Sequence, residues 1–168
     1  MITARATTAG QRRRFEHEEQ LEDRRELRTL LDETLAAIDT AAGTLGELIA
    51  VYGSCGLNRE SYDPVLREAN AAVGRVERAR ARLVIRLGRD DELAGEIGAA
   101  IGHGRRVINA INRYLAVPMV SEPPGLGMLG TEVEQLNAVT ERFTHSARRL
   151  VGARIERGAE PSVLLQPN

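Results

Sequence analysis

Residues 31–52 read LDETLAAIDTAAGTLGELIAVY. Their apolar positions, Leu31, Leu35, Ile38, Ala42, Leu45, Ile49 and Tyr52, alternate spacings of four and three without a break. That repeat marks one face of an α-helix, whereas a strand with one buried face would alternate every second residue. A stripe about 32 Å long, at ~1.5 Å per residue, has to be covered by other elements of similar length. Gly53, Ser54 and Gly56 are poor helix formers clustered where the periodicity stops, so the helix is expected to end near Gly53.

The rest of the chain offers three matching stripes. Asp63 and Pro64 predict a helix start, the aspartate as cap and the proline at the first helical position. The stripe there is Tyr62, Leu66, Ala69, Val73, Val76, Leu83 and Leu87, closed by Gly88. Asp90, Asp91 and Glu92 place negative charge at the start of a third helix. Its apolar face is Leu93, Ile97, Ile101, Ile108, Ile111 and Leu115, and Pro118 ends it. Residues 117–130, VPMVSEPPGLGMLG, are too rich in Pro and Gly for a helix and read as a loop, yet Val117, Met119, Val120, Leu126, Met128 and Leu129 need burial. Thr131 and Glu134 form a capping-box pair that opens a fourth helix through Val133, Leu136, Phe143, Ala147, Leu150 and Val151 toward Gly158. Five aromatic residues and few consecutive β-branched ones leave little material for strands. The expected fold is all-α: one antiparallel four-helix bundle, residues 29–158, with a long, protruding first helix whose charged extension is 1–28 and a tail at 159–168.

The extension is unlike the bundle. Residues 11–28, QRRRFEHEEQLEDRRELR, carry twelve charges in eighteen residues, six of each sign, with Phe15, Leu21 and Leu27 the large hydrophobes. Such a segment is a solvated end, or a stalk that pairs with another chain or leads from an anchor. Residues 11–38, QRRRFEHEEQLEDRRELRTLLDETLAAI, resemble the membrane-proximal helix of actinobacterial proteins in which one membrane span precedes a cytosolic helical domain of no established function. Charge alternation and the arginine run carry the resemblance, which implies a location and an architecture and assigns no functional residue. No stretch approaches roughly 18 consecutive apolar residues, and the start MITARATTAG lacks the apolar core of a secretory signal. Membrane contact is expected only through an anchor absent from this sequence.

Charge and composition narrow the function classes. The 168 residues hold 23 basic side chains, every one arginine, against 24 acids, for a net charge of -1. A nucleic-acid or anionic-membrane binder would show a basic excess, so nucleic acid is not an expected partner. With no lysine, Schiff-base chemistry on a side-chain amine is impossible. Cys55 is the single cysteine; it excludes an intrachain disulfide and suits a reducing, cytoplasmic compartment.

Motifs for catalysis are weak. Residues 125–130, GLGMLG, spell G-x-G-x-x-G ahead of a helix, but Pro123 and Pro124 precede them where a dinucleotide site needs a strand. His17, His103 and His145 belong to three segments without the Glu-x-x-His pairs of bundle metal sites, and Glu141 with His145 is a surface pair at i, i+4. No catalytic residue, metal or cofactor is assigned.

Three features suit a binding surface. Arg75, Arg78, Arg82, Arg86 and Arg89 recur at three- and four-residue spacing and form one basic stripe opposite the Val73 and Leu83 face. Residues 75–89 hold six arginines against Glu77 alone, a local charge of +5 that an acidic protein, a phosphate-rich ligand or the acidic part of a neighbouring helix would answer. Arg80 falls on the apolar side of that helix and must snorkel to water or find a carboxylate, with Asp32, Glu33 and Asp39 as candidates. Gly95, Gly98, Ala99 and Gly102 form a small-residue face suited to self-association, and Arg105, Asn109, Asn112 and Arg113 a polar strip beyond it. Met119, Leu126, Met128 and Leu129 are either a cover over the bundle's open end or a docking loop. The expected function is a non-catalytic interaction or scaffold module, near the inner face of a membrane, with a protein partner or a second copy of itself; a small-ligand binder or enzyme with a site between helices under residues 117–130 is the alternative.

Overall fold

Four amphipathic helices pair head to tail: α1 (Thr3–Ser54), α2 (Arg59–Leu87), α3 (Glu92–Ala116) and α4 (Leu126–Gly158). The computed structural model describes residues 3–54, 59–116 and 124–158, with side chains described over 14–54, 60–116 and 124–153. Helix α1 packs against α2 and α4, α3 packs against the same two, and α1 also touches α3 across the middle. This is an antiparallel four-helix bundle with a long first helix, as the four stripes require.

The core draws on every helix. Ile38, Leu45 and Leu48 of α1 meet Tyr62, Val73 and Leu83 of α2, Ile97, Ile108 and Ile111 of α3, and Leu129, Leu136 and Phe143 of α4, all buried. Each large side chain withdrawn from water contributes about 1.5–3 kcal/mol. The packing of α3 against α2 and α1 depends on Gly104. A Cβ there would stand 2.8 Å from a Val73 methyl and 3.4 Å from Leu45 Cδ1, so only hydrogen fits beneath the crossing. Two buried threonines are satisfied within α1, Thr34 donating to the Leu30 carbonyl at 2.7 Å and Thr44 to that of Thr40 at 2.9 Å.

Helix ends follow the expected chemistry at one turn and depart from it at two others. Gly88, at φ +102°, takes the left-handed conformation that ends α2, with its amide donating to the Val84 carbonyl at 2.9 Å. Asp91 caps α3, its Oδ1 accepting from the Leu93 amide at 2.9 Å. Helix α2, however, begins at Arg59 and not at Asp63, and Pro64 lies inside it. The extra turn stays helical because it seats Tyr62, which is buried and donates to the Tyr52 carbonyl at 3.2 Å. Helix α4 begins at Leu126, so Thr131 is no cap; its hydroxyl donates back to the Gly127 carbonyl at 3.0 Å. Burial of Leu129 outweighs the weak helix propensity of Gly127 and Gly130.

One end of the bundle is closed by aromatic rings. Tyr52 stands 6.3 Å from Tyr62 and 5.9 Å from Tyr114, edge to face with the latter, and donates to the Pro124 carbonyl at 3.1 Å. Burial, then the neighbouring Tyr114 and Tyr62, push the Tyr52 hydroxyl above its ordinary value. At the other end α1 runs on alone. By length and composition α1 is also apolar enough to cross a membrane, a test that core helices pass too, and here Ile38, Leu45 and Leu48 fill the bundle core.

Candidate interaction surface

Arginine, glutamate and leucine are good helix formers, so α1 continues as helix without a core to lean on. From Arg14 to Glu26 every side chain is exposed or half-exposed, and Leu27 is the first that is buried. That stretch spans about 20 Å at ~1.5 Å per residue.

Where the extension leaves the bundle it is braced by the arginine stripe of α2. Arg82 donates to Glu33 Oε2 at 2.8 Å, and Arg86 reaches Asp23 Oδ1 at 2.5 Å and Glu26 Oε2 at 3.7 Å. The acidic part of the neighbouring helix thus answers two of the five arginines. Arg75, Arg78 and Arg89 are exposed and make no ion pair among the described residues. The same holds for Glu18, Glu19 and Glu22 on the extension.

Beside these pairs the surface is open and partly apolar. A groove of about 780 Å³ runs along α1, with Leu21, Glu22, Thr29, Leu30, Glu33 and Arg82 in its wall. It adjoins a smaller hollow shared by Leu27, Leu30 and Ile85. Ile85 is 86% exposed and Phe15 70%, the two most exposed large hydrophobic side chains of the described residues. A second groove, about 440 Å³, lies between α1 and α4 beside Leu35, Phe143 and Ala147.

The other singled-out residues fall elsewhere. Among the described residues Arg80 pairs with no carboxylate: its Nε donates to the Ala94 carbonyl at 3.0 Å, and its guanidinium lies over Gly98, 3.4 Å from where a Cβ would be. Gly98 therefore serves the α2–α3 contact, not an open face. Gly102 faces the Arg106 guanidinium in the same way, while Gly95 and Ala99 are exposed. Arg105 is pinned to α2 by Glu77 Oε1, at 3.0 Å from Nε and 2.8 Å from Nη2, and by Asn70 Oδ1 at 3.2 Å, leaving Asn109, Asn112 and Arg113 exposed. In the expected loop, Leu129 is buried within α4 and Leu126, half exposed, lies over Gly53. Met128 is half exposed; Met119 and Cys55 lie outside the described residues.

Two polar clusters join α3 to α4 without a signal in the sequence. His103 Nδ1 stands 2.7 Å from Glu132 Oε2 and 2.7 Å from Arg106 Nη2, while Arg106 Nε bridges both Glu132 oxygens at 2.9 Å. One ring nitrogen serves a single neighbour at a time, as donor to the carboxylate or acceptor from the guanidinium. Burial raises the Glu132 carboxyl, but the hydrogen bonds from His103 and Arg106 outweigh it and hold it below its ordinary value. Glu96 is the opposite case. Its Oε1 accepts from Ser146 Oγ at 3.2 Å, its Oε2 is buried with no hydrogen-bond partner among the described residues, and burial pushes the carboxyl up despite that bond and nearby Arg142. Among the described residues no three His, Cys, Asp or Glu gather as a metal site.

No protein family, curated protein or solved structure matches the chain.

Proposed function

We propose that the chain is a non-catalytic helical interaction module that works as a homo-oligomeric scaffold. One observation carries this reading: the α1 extension and its α2 flank present Leu21, Leu30 and Ile85 around an open groove, rimmed by the Arg82–Glu33 and Arg86–Glu26 pairs and by Glu18 and Glu22, which make no ion pair among the described residues. Single exposed hydrophobes are ordinary, but a group of them with a polar rim is the surface of a protein contact. Leu129 is buried in the core and Tyr52 donates to the Pro124 carbonyl, which supports reading residues 124–130 as a cover over the bundle end. The partner is protein, since the arginine stripe has no interleaved aromatic for base stacking. A cytoplasmic setting suits the lone cysteine. Sedimentation equilibrium from micromolar to several hundred micromolar tests the reading. Concentration-dependent oligomers are expected, and a monomer throughout that range overturns it.

A further inference from the structure

We infer that the partner of the α1–α2 groove is a second copy of this chain, laid antiparallel across it, with Glu18 and Glu22 of each copy on Arg75 and Arg78 of the other. The inference rests on the self-association reading above and names its interface.

Charge placement along one face is the reason. Arg82 meets Glu33 and Arg86 meets Asp23 and Glu26, which fixes how α2 runs past α1. Continuing that antiparallel run, Arg78 and Arg75 come level with roughly residues 34–40 of α1, at ~1.5 Å per residue on both helices. Ala36, Ala37 and Thr40 continue the face of Glu33 there, at i+3, i+4 and i+7, and none bears a charge. The two arginines are therefore exposed beside an uncharged strip. In the other direction the same α1 face continues through Glu26, Glu22, Glu18 and Phe15, beyond the end of α2. Each copy thus has acids in excess at one end of a continuous face and arginines in excess at the other. The extension as a whole is balanced, six acids against six arginines over residues 11–28, but Glu18, Glu22 and Glu26 share this face, opposite in sign to the +5 of residues 75–89.

A face charged in this way is complementary to itself under a two-fold rotation. Glu18 and the level of residue 36 lie about 27 Å apart along α1, so the axis passes near Leu27, at the groove. Leu21, Leu30 and Ile85 of the two copies then cover each other at the centre, and the opposite charges meet at both ends. Apolar centre and polar rim is the usual anatomy of a protein interface.

Charge exchange in the full-length chain tests this. Arg75→Glu with Arg78→Glu gives a chain acidic at both ends; Glu18→Arg with Glu22→Arg gives one basic at both. All four positions are exposed, so the helical circular dichroism and melting temperature of each variant should match the parent. Each variant alone should dimerise about tenfold or more weakly at low salt, because like charges then face each other. An equimolar mixture of the two should recover the dimer, as acid meets base at both ends again. In a Cys55→Ser background, Glu18→Cys with Ala36→Cys should form intermolecular disulfides where either cysteine alone does not. A dimer indifferent to both charge variants, or failing to recover in the mixture, overturns this interface and leaves self-association standing on another face. A monomeric parent chain overturns both.

Discussion

Glu96 and Glu132 sit on the same pair of helices and titrate in opposite directions for physical reasons that can be separated. Burial raises the Glu96 carboxyl, and its Oε2 has no hydrogen-bond partner among the described residues, so the fold favours the protonated form. Between its unfolded and folded values the native state binds more protons, and stability is lost as pH rises through the raised folded value. Glu96→Gln removes the charge that burial disfavours while leaving a polar atom without a partner at the same place, so it should be more stable than the parent at neutral pH by no more than about 1 kcal/mol. The difference should vanish below the ordinary carboxylate range. Urea denaturation at acidic and neutral pH measures it, and a variant less stable than the parent at neutral pH would mean that the carboxylate is in fact paired. Glu132, held below its ordinary value, stabilises the fold above the usual carboxylate range and loses that contribution as pH falls through its lowered value. Neither group was legible in the sequence. A glutamate on a helix flank reads as solvated until the neighbouring helix is placed, and Ser146 lies fifty residues from Glu96. Arg80 shows the same limit: its place among apolar residues was visible, but its acceptor is a backbone carbonyl, which no pattern of side chains announces.

At the scale of elements, Gly104 is the most crowded glycine of the described residues, buried where α3 meets Val73 of α2 and Leu45 of α1. Gly104→Ala gains helix propensity of up to about 1 kcal/mol but forces a methyl into a packed crossing, which costs about 1–3 kcal/mol, so a net loss is expected. Gly43→Ala is the control, because a Cβ there meets nothing within 4 Å and its gain should appear as a higher melting temperature. If both substitutions stabilise alike, the crossing is looser than described. The small-residue face expected from Gly95, Gly98, Ala99 and Gly102 missed Gly104, since composition marks a glycine and only packing shows which one is crowded. Helix identity was legible because a 3.6-residue stripe is a property of the chain itself. Helix starts were less so: the first turn of α4 contains Gly127 and Gly130, poor formers by propensity, and it is the burial of Leu129 that holds it. The arginine stripe and the charged extension were each visible in the sequence, but their meeting depends on the register between α1 and α2, which is set by core packing.

On the whole molecule, α1 is one uninterrupted helix from Thr3 to Ser54, shared between a packed bundle and an exposed arm. A joint would let the arm find its partner by swivelling; a continuous helix cannot. The arm behaves as the shaft of a crank, its angular phase set by the bundle it is welded to. One alanine inserted between Glu26 and Leu27 should turn everything upstream by about 100° while leaving the core untouched. Asp23 and Glu26 would then swing away from Arg86, and self-association should fall sharply with little change in melting temperature. Seven inserted residues return the arm to within about 20° of its original phase, at the cost of sliding it outward by about 10 Å, and association should largely come back. Sedimentation equilibrium of the two insertions against the parent reads this directly, and equal association in all three would show that the arm works as a tether. In a molecule indexed by angle, length can drift over evolution in steps of whole turns, whereas a change of a single residue re-aims the arm.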